Sequence, residues 1–345
     1  MLLFHNDYNE ICHPAVMDKI TSLSDRQMPG YGVDPCCENA AALIKKYCNN
    51  DDLTVHFLVG GTQTNLTVIA AALRPHQAVL SAYSGHINVH ETGAVEATGH
   101  KIISIATDDG KLTASLVEKF AHDQACDENA EHAAQIKLVY ISQSTELGTL
   151  YTLSELEAIA SVCRKYGLYL FVDGARLGYA LTAKNNDLTL ADMARLCDVF
   201  YIGGTKCGAM FGEAVVISNK AIAEDFRYLI KQHGAMLAKG WLLGAQFAAL
   251  FENGLYFDIC AHANRLADQL RDTLNQLGYS FLMDGESNQV FPILPNELLE
   301  KISEHCTFMV QETVDESHKA VRFCTSWATT QQSMDTLCSL LKKHS

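Results

Sequence analysis

Seven short apolar runs, rich in β-branched residues, constrain this chain more than any other feature: TVHFLV (54–59), AVLSA (78–82), KIISI (101–105), KLVYIS (137–142), LYLFVD (168–173), DVFYIG (198–203) and EAVVIS (213–218). Most are separated by stretches of helical period, such as TNLTVIAAAL (64–73) and SELEAIASVCRKYG (154–167). In the latter, Leu156, Ile159, Ala160 and Cys163 share one face and Gly167 ends the helix. Continuous apolar strands alternating with helices require a mainly parallel sheet covered on both faces. After about residue 250 the texture changes to a long helix, NQVFPILP, another helix and AVRFCTSWA. The expectation is a large α/β domain with an N-terminal arm over residues 1–250 and a smaller C-terminal α/β domain over 251–345.

Charge narrows the partners. A formal net charge of −14, with no basic block to offset it, argues against nucleic acid or an acidic membrane surface. The N-terminal MLLFHNDYNEICHPAV lacks the basic start and apolar core of a secretory signal, and WLLGAQFAALF (241–251) is too short to span a bilayer. Twelve scattered cysteines, including the vicinal Cys36 and Cys37, form no CxxC ladder and suggest no metal site. They read as reduced thiols in a cytoplasmic protein.

Ligands of open parallel sheets sit beyond the carboxyl ends of the strands, and four features fall there. In VGGTQTN (59–65), Gly60, Gly61 and Thr62 lead a strand into a helix whose free N–H groups suit an anion; a plain turn with Thr62 as N-cap is the other reading. In LYLFVDGARLG (168–178), Asp173 either pairs with Arg176 in a loop or meets a cationic nitrogen of a ligand. Lys206, in YIGGTKCGAMFG (201–212), sits among small and apolar residues where an ammonium is costly; either it escapes to solvent or the fold needs an amine there, and a desolvated lysine becomes a nucleophile toward carbonyls. His86, in SGHINVHETG (84–93), is either structural or laid flat on an aromatic ring, with His90 and Glu91 expected on the helix that follows. A phosphate loop, an acid for a ring nitrogen and an imine-forming lysine, in that order, fit pyridoxal 5'-phosphate.

These segments, with HNDY at the start, GYGVDP (30–35) and VRFCTSW (321–327), resemble the threonine aldolase branch of the β-eliminating lyase family, among the pyridoxal-phosphate enzymes of the aspartate aminotransferase fold. The resemblance runs nearly end to end. It implies that Lys206 carries the cofactor, Asp173 partners the pyridine nitrogen, Gly60, Gly61 and Thr62 form the phosphate loop, and His86 stacks on the ring. It implies that Arg176 and Arg322 hold the substrate carboxylate, with Asn6 standing where relatives usually have serine. Lys231 and Lys239 resemble basic residues that reach the phosphate from a neighbouring subunit of a homodimer or homotetramer. A second histidine, associated in the family with the substrate β-hydroxyl, is missing from the shortened loop SQSTELGTLY (142–151); Glu146 or a water is the substitute.

The resemblance implies retro-aldol cleavage of a β-hydroxy-α-amino acid, threonine or allo-threonine, to glycine and an aldehyde. Rival readings are β-elimination or racemisation with the same cofactor, and a cofactor-free binding protein on the same scaffold. A nicotinamide dehydrogenase is disfavoured because the first strand-turn-helix lacks the dinucleotide fingerprint.

Overall fold

All seven apolar runs are strands of one sheet in the computed structural model, which describes residues 1–345. In chain order they are β1 (Thr54–Leu58), β2 (Gln77–Ala82), β3 (Lys101–Ile105), β4 (Gln135–Ser142), β5 (Tyr169–Asp173), β6 (Val199–Gly203) and β7 (Glu213–Ile217). Their order across the sheet is β1-β7-β6-β5-β4-β2-β3. Every pairing from β6 to β3 is parallel, and only β7 runs against its neighbours. The carboxyl ends of β2, β4, β5 and β6 therefore open on one edge.

Alternation along the strands divides the core between two faces. Val139, Ile141, Leu170, Val172, Phe200 and Ile202 face one side, and Leu138, Tyr140, Phe171, Val199 and Tyr201 face the other. Helix α1 (Gly61–Ala72) covers the second face through Val68 and Ile69. The expected helix over 154–167 is present as Leu153–Tyr166, opened by a capping box at Thr152 and closed by Gly167 at φ 63°.

The C-terminal part has its own core, in which Leu266, Leu270, Val321, Phe323, Leu337 and Leu341 surround Phe4. The N-terminal arm belongs to it: Leu2–Leu3 pairs in parallel with Cys306–Thr307, and the Cys324 N–H donates to the Phe4 carbonyl at 2.7 Å. This stitch carries Asn6 and Asp7 to the carboxyl edge of the large sheet. No helix is long and apolar enough to cross a membrane.

Candidate active site

Asp173, the last residue of β5, is 4% exposed yet fully provided with donors. Tyr140 from β4 donates to Oδ2 at 2.6 Å and Tyr201 from β6 to Oδ1 at 2.5 Å. The Ala175 N–H adds a bond to Oδ1 at 3.0 Å, and Asn65 of α1 adds one to Oδ2 at 3.1 Å. Burial alone would raise this carboxyl, but the nearby His86 and these hydrogen bonds hold it below its ordinary value. Asp173 is a fixed anion. It does not pair with Arg176, as the loop reading had it.

Lys206 follows β6, and backbone contact brings it to Asp173. A Cβ on Gly203 would stand 2.3 Å from the Ala175 carbonyl oxygen, and one on Gly174 1.7 Å from that of Tyr201, so only glycines let these two strand ends touch. Burial, and then the charge of Arg176, push the Lys206 ammonium below its ordinary value, against the pull of Asp7, Asp173 and Glu213. The side chain is half-buried, and the Tyr179 hydroxyl fixes its carbonyl at 2.5 Å. A lysine so placed is a ready nucleophile.

His86 opens a four-residue helix, His86–Val89, that ends before His90. Glu91 is therefore not helical, contrary to expectation. It is 5% exposed, and its Oε1 takes the His86 Nδ1 at 2.7 Å and the Asn65 amide at 2.7 Å. Asn65 thus bridges Glu91 and Asp173, joining imidazole and floor in one network. Glu146 meets the backbone of His86, its Oε1 accepting the His86 main-chain N–H at 2.9 Å and the Ser142 hydroxyl at 2.7 Å. Burial and the charge of Asp173 raise its carboxyl. The short loop around it is closed by paired amide bonds between Gln143 and Tyr151.

Gly60, in extended conformation, is the N-cap of α1 and offers no side-chain cap, so Thr62 stands inside the first turn and is not the cap. A Cβ on Gly61 would lie 3.2 Å from the Tyr201 hydroxyl, which places the loop beside the Asp173 cluster. Arg176 grips Asp7 with two bonds, Nε to Oδ2 at 2.8 Å and Nη2 to Oδ1 at 3.0 Å, and Asn288 adds a third at 2.9 Å. Burial opposes the Asp7 charge, but Arg176, Lys206 and these bonds bring its carboxyl down to about 2.

The remaining expected residues lie at the mouth or away from it. Arg322 donates to the His5 carbonyl at 3.2 Å and to Gln289 at 3.3 Å, while its buried Nε has no partner. The Asn6 oxygen takes the Tyr8 N–H at 3.0 Å, leaving its amide N–H groups as the available donors. Lys231 and Lys239 are exposed, and Lys231 lies over the Tyr31 ring, 5.1 Å from its centroid.

The family model for beta-eliminating lyases matches residues 16–296. The chain belongs to this family. A low specificity L-threonine aldolase from Pseudomonas sp. is 30% identical over 302 residues, 86% of this chain and 85% of that one. The structure of a threonine aldolase from Leishmania major superposes with a TM-score of 0.97 at 45% identity, over 99% of each chain. An aspartate aminotransferase from Thermus thermophilus shares the fold alone, with a TM-score of 0.71 at 15% identity. In this beta-eliminating lyase, Asp7, Asn65, Glu91, Tyr140, Tyr201 and Glu213 are site residues that the sequence reading did not single out for a role. Asp7 and Asn65 lie within the motifs HNDY and GGTQTN, and Glu91 within HINVHETG. Tyr140 and Tyr201 stand on strands beside Asp173, on its face of the sheet.

The donor set fits pyridoxal phosphate. A buried anion suits a protonated ring nitrogen, a lysine with a disfavoured charge suits an aldehyde, and an uncapped twelve-residue helix suits a phosphate.

Proposed function

We infer that this chain is a pyridoxal-phosphate-dependent lyase that cleaves threonine to glycine and an aldehyde. The observation that carries the reading is the meeting of anionic Asp173 and the reactive amine of Lys206 at touching strand ends. They meet in a chain that matches a threonine aldolase over 99% of its length. When bound, the cofactor supplies an aldehyde for amine exchange and a ring that withdraws electrons from Cα.

The chain's residues take the following roles. Lys206 holds the cofactor through its Nζ. Asp173 keeps the ring nitrogen protonated, and its carboxylate is already ionised and fixed. Gly60, Gly61 and Thr62 turn the start of α1 toward the phosphate. His86 would pack against the cofactor, and with Nδ1 committed to Glu91 its Nε2 is the atom free to take the β-hydroxyl proton, directly or through a water. Arg176 has Nη1 left after gripping Asp7, and with Arg322 and the Asn6 amide it holds the substrate carboxylate. Glu146 stands beside His86 and supports it.

The organisation around this centre follows the same reading. The cofactor-binding part runs to about residue 250 and residues 251–345 form the small part, into whose core the N-terminal arm inserts Phe4. A second copy of the chain covers the exposed Tyr31, Val33 and Tyr228 and brings Lys231 and Lys239 to its neighbour's phosphate; the exposure of these large apolar side chains, at 48%, 57% and 75%, supports it. All cysteines are free thiols, in keeping with a reducing cytoplasm.

Incubation with L-threonine and L-allo-threonine tests the reaction. Glycine and acetaldehyde are expected; 2-oxobutanoate and ammonia would mean elimination, and a colourless protein that binds no cofactor would sink the enzyme reading.

A further inference from the structure

Glu213 opens β7 and is 4% exposed, and its carboxylate is spent on the turn that carries Lys206. Oε2 accepts the Gly204 N–H at 2.9 Å, and Oε1 accepts the Thr205 hydroxyl at 2.8 Å. Thr205 Oγ1 in turn accepts the Gly212 N–H at 3.0 Å, and the Gly204 and Thr205 N–H groups donate to the Gly212 carbonyl at 3.0 and 3.1 Å, so backbone and side-chain bonds together close the loop between β6 and β7. No arginine or lysine forms a salt bridge with this carboxylate, and the cation whose charge reaches it is Lys206. A buried carboxylate without an ionic partner is costly, and a glutamine, with one acceptor oxygen, would keep only one of the two bonds.

We propose that Glu213 is a positioning residue for Lys206: it holds the Gly204–Thr205 turn in place and stands as the titrating counter-charge of the Lys206 amine. The claim rests on Lys206 being the cofactor lysine. Charge balance follows from the placement. While Nζ carries a proton, the Glu213 anion is favoured; when Nζ loses its charge, the anion loses its compensation and the carboxyl takes up a proton from water. Burial pushes the carboxyl up to about 7, the Thr205 and Gly204 bonds and the Lys206 charge pull the other way, and Asp173 adds to the rise. The other ionisable groups facing it are Tyr201 on β6 and Tyr256 on the helix Leu255–Gln276, both held neutral by burial.

The test compares the wild-type holoenzyme with Glu213→Gln and Thr205→Val. The visible absorbance of the cofactor and kcat should each show an ionisation near neutral pH in the wild type. Glu213→Gln should abolish it and lower kcat roughly tenfold, the rate equivalent of one hydrogen bond to a charged group, with KM little changed. Thr205→Val, which removes a donor to the anion, should move the same ionisation to higher pH, and it serves alone if Glu213→Gln does not fold. Thermal unfolding gives a second readout. An acid raised by folding loses its stabilising effect as pH climbs from its unfolded value through its folded one. The melting temperature of Glu213→Gln should therefore gain on the wild type between pH 5 and pH 8. An ionisation that persists in Glu213→Gln, or does not move in Thr205→Val, overturns the proposal. If borohydride attaches the pyridoxyl group to another lysine, the premise fails instead, and the two failures are distinct.

Discussion

At the floor of the site, Asp173 takes bonds from Tyr140, Tyr201, Asn65 and the Ala175 amide, and Asp7 takes them from Arg176 and Asn288. At the mouth, Arg322 reaches only carbonyl, amide and thioether partners and leaves a buried Nε without one, while His86 keeps a third of its side chain exposed. Both regions are rich in charge. The floor is preorganised within one chain, so charge there is fixed before any ligand arrives. The mouth keeps donors in reserve for a carboxylate. Changes at the floor should therefore damage the fold or the chemical step, and changes to the carboxylate donors of the mouth should damage substrate binding.

Lys206→Ala is the largest break. It removes an amine that burial already disfavours, so the variant should fold, while turnover falls by at least ~10⁴-fold. Borohydride should attach the pyridoxyl group to the Lys206 peptide of the wild type and to no peptide of the variant. Near-normal turnover would place the chemistry elsewhere.

The two arginines sharpen the comparison directly. Arg176→Ala leaves Asp7 buried without its ion-pair partner, which should cost about 3–5 kcal/mol of stability. Arg322→Ala should leave the melting temperature nearly unchanged and raise KM for threonine. Equal melting losses in both would mean that floor and mouth are not distinct. The Arg176–Asp7 pair also has a sign in pH. Asp7 drops from an ordinary 3.8 to about 2, so its contribution is present at neutral pH and is lost as pH falls through that window. The loss should be about 2 kcal/mol, read as an acid-unfolding midpoint that Asn288→Ala moves to higher pH.

Asp173→Asn comes next. The amide cannot hold a positive ring nitrogen, and turnover should fall by roughly 10²–10³-fold while some cofactor is retained. Retained turnover would return Asp173 to a structural role.

How much of this was legible depended on how far apart in the chain the partners lie. The strand ends with Asp173 and Lys206 could be read because each ends a continuous apolar run and because consecutive parallel strands are usually neighbours. The glycines beside them marked the close approach. Tyr140 and Tyr201 could not be read as ligands of Asp173, since that needs the register of three strands and not only their existence. Asp7 was quoted in its motif, but its partner lies 169 residues away, and the arm reaches it through pairing with Cys306–Thr307 and the Cys324 bond to Phe4. Glu91 was misread because helical continuation from His86 was assumed; the helix stops at Val89, and the following turn swings the carboxylate inward.

Glu146 lies between floor and mouth, and it gives the smallest expected effect. The missing second histidine made it a candidate base for the β-hydroxyl. The structure spends its Oε1 on the His86 N–H and the Ser142 hydroxyl, and burial with the nearby Asp173 favours its neutral form. The Glu146 Oε1 is already occupied by two donors, whereas the His86 Nε2 is free and its Nδ1 is anchored on Glu91. Glu146→Gln retains an oxygen for both bonds, so threonine cleavage should change less than about threefold, roughly the 0.6 kcal/mol of a tolerated polar swap. His86→Ala should cost about 10²-fold or more in kcat. Glycine binding, followed by the cofactor's absorbance, should survive in Glu146→Gln, because glycine has no hydroxyl and engages Asn6, Arg176 and Arg322 through its carboxylate. If Glu146→Gln instead proves the more damaging change and flattens a rise of kcat with pH, the base is the carboxylate. His86 would then belong to the floor as a stacking residue, and the line between floor and mouth would pass on its other side.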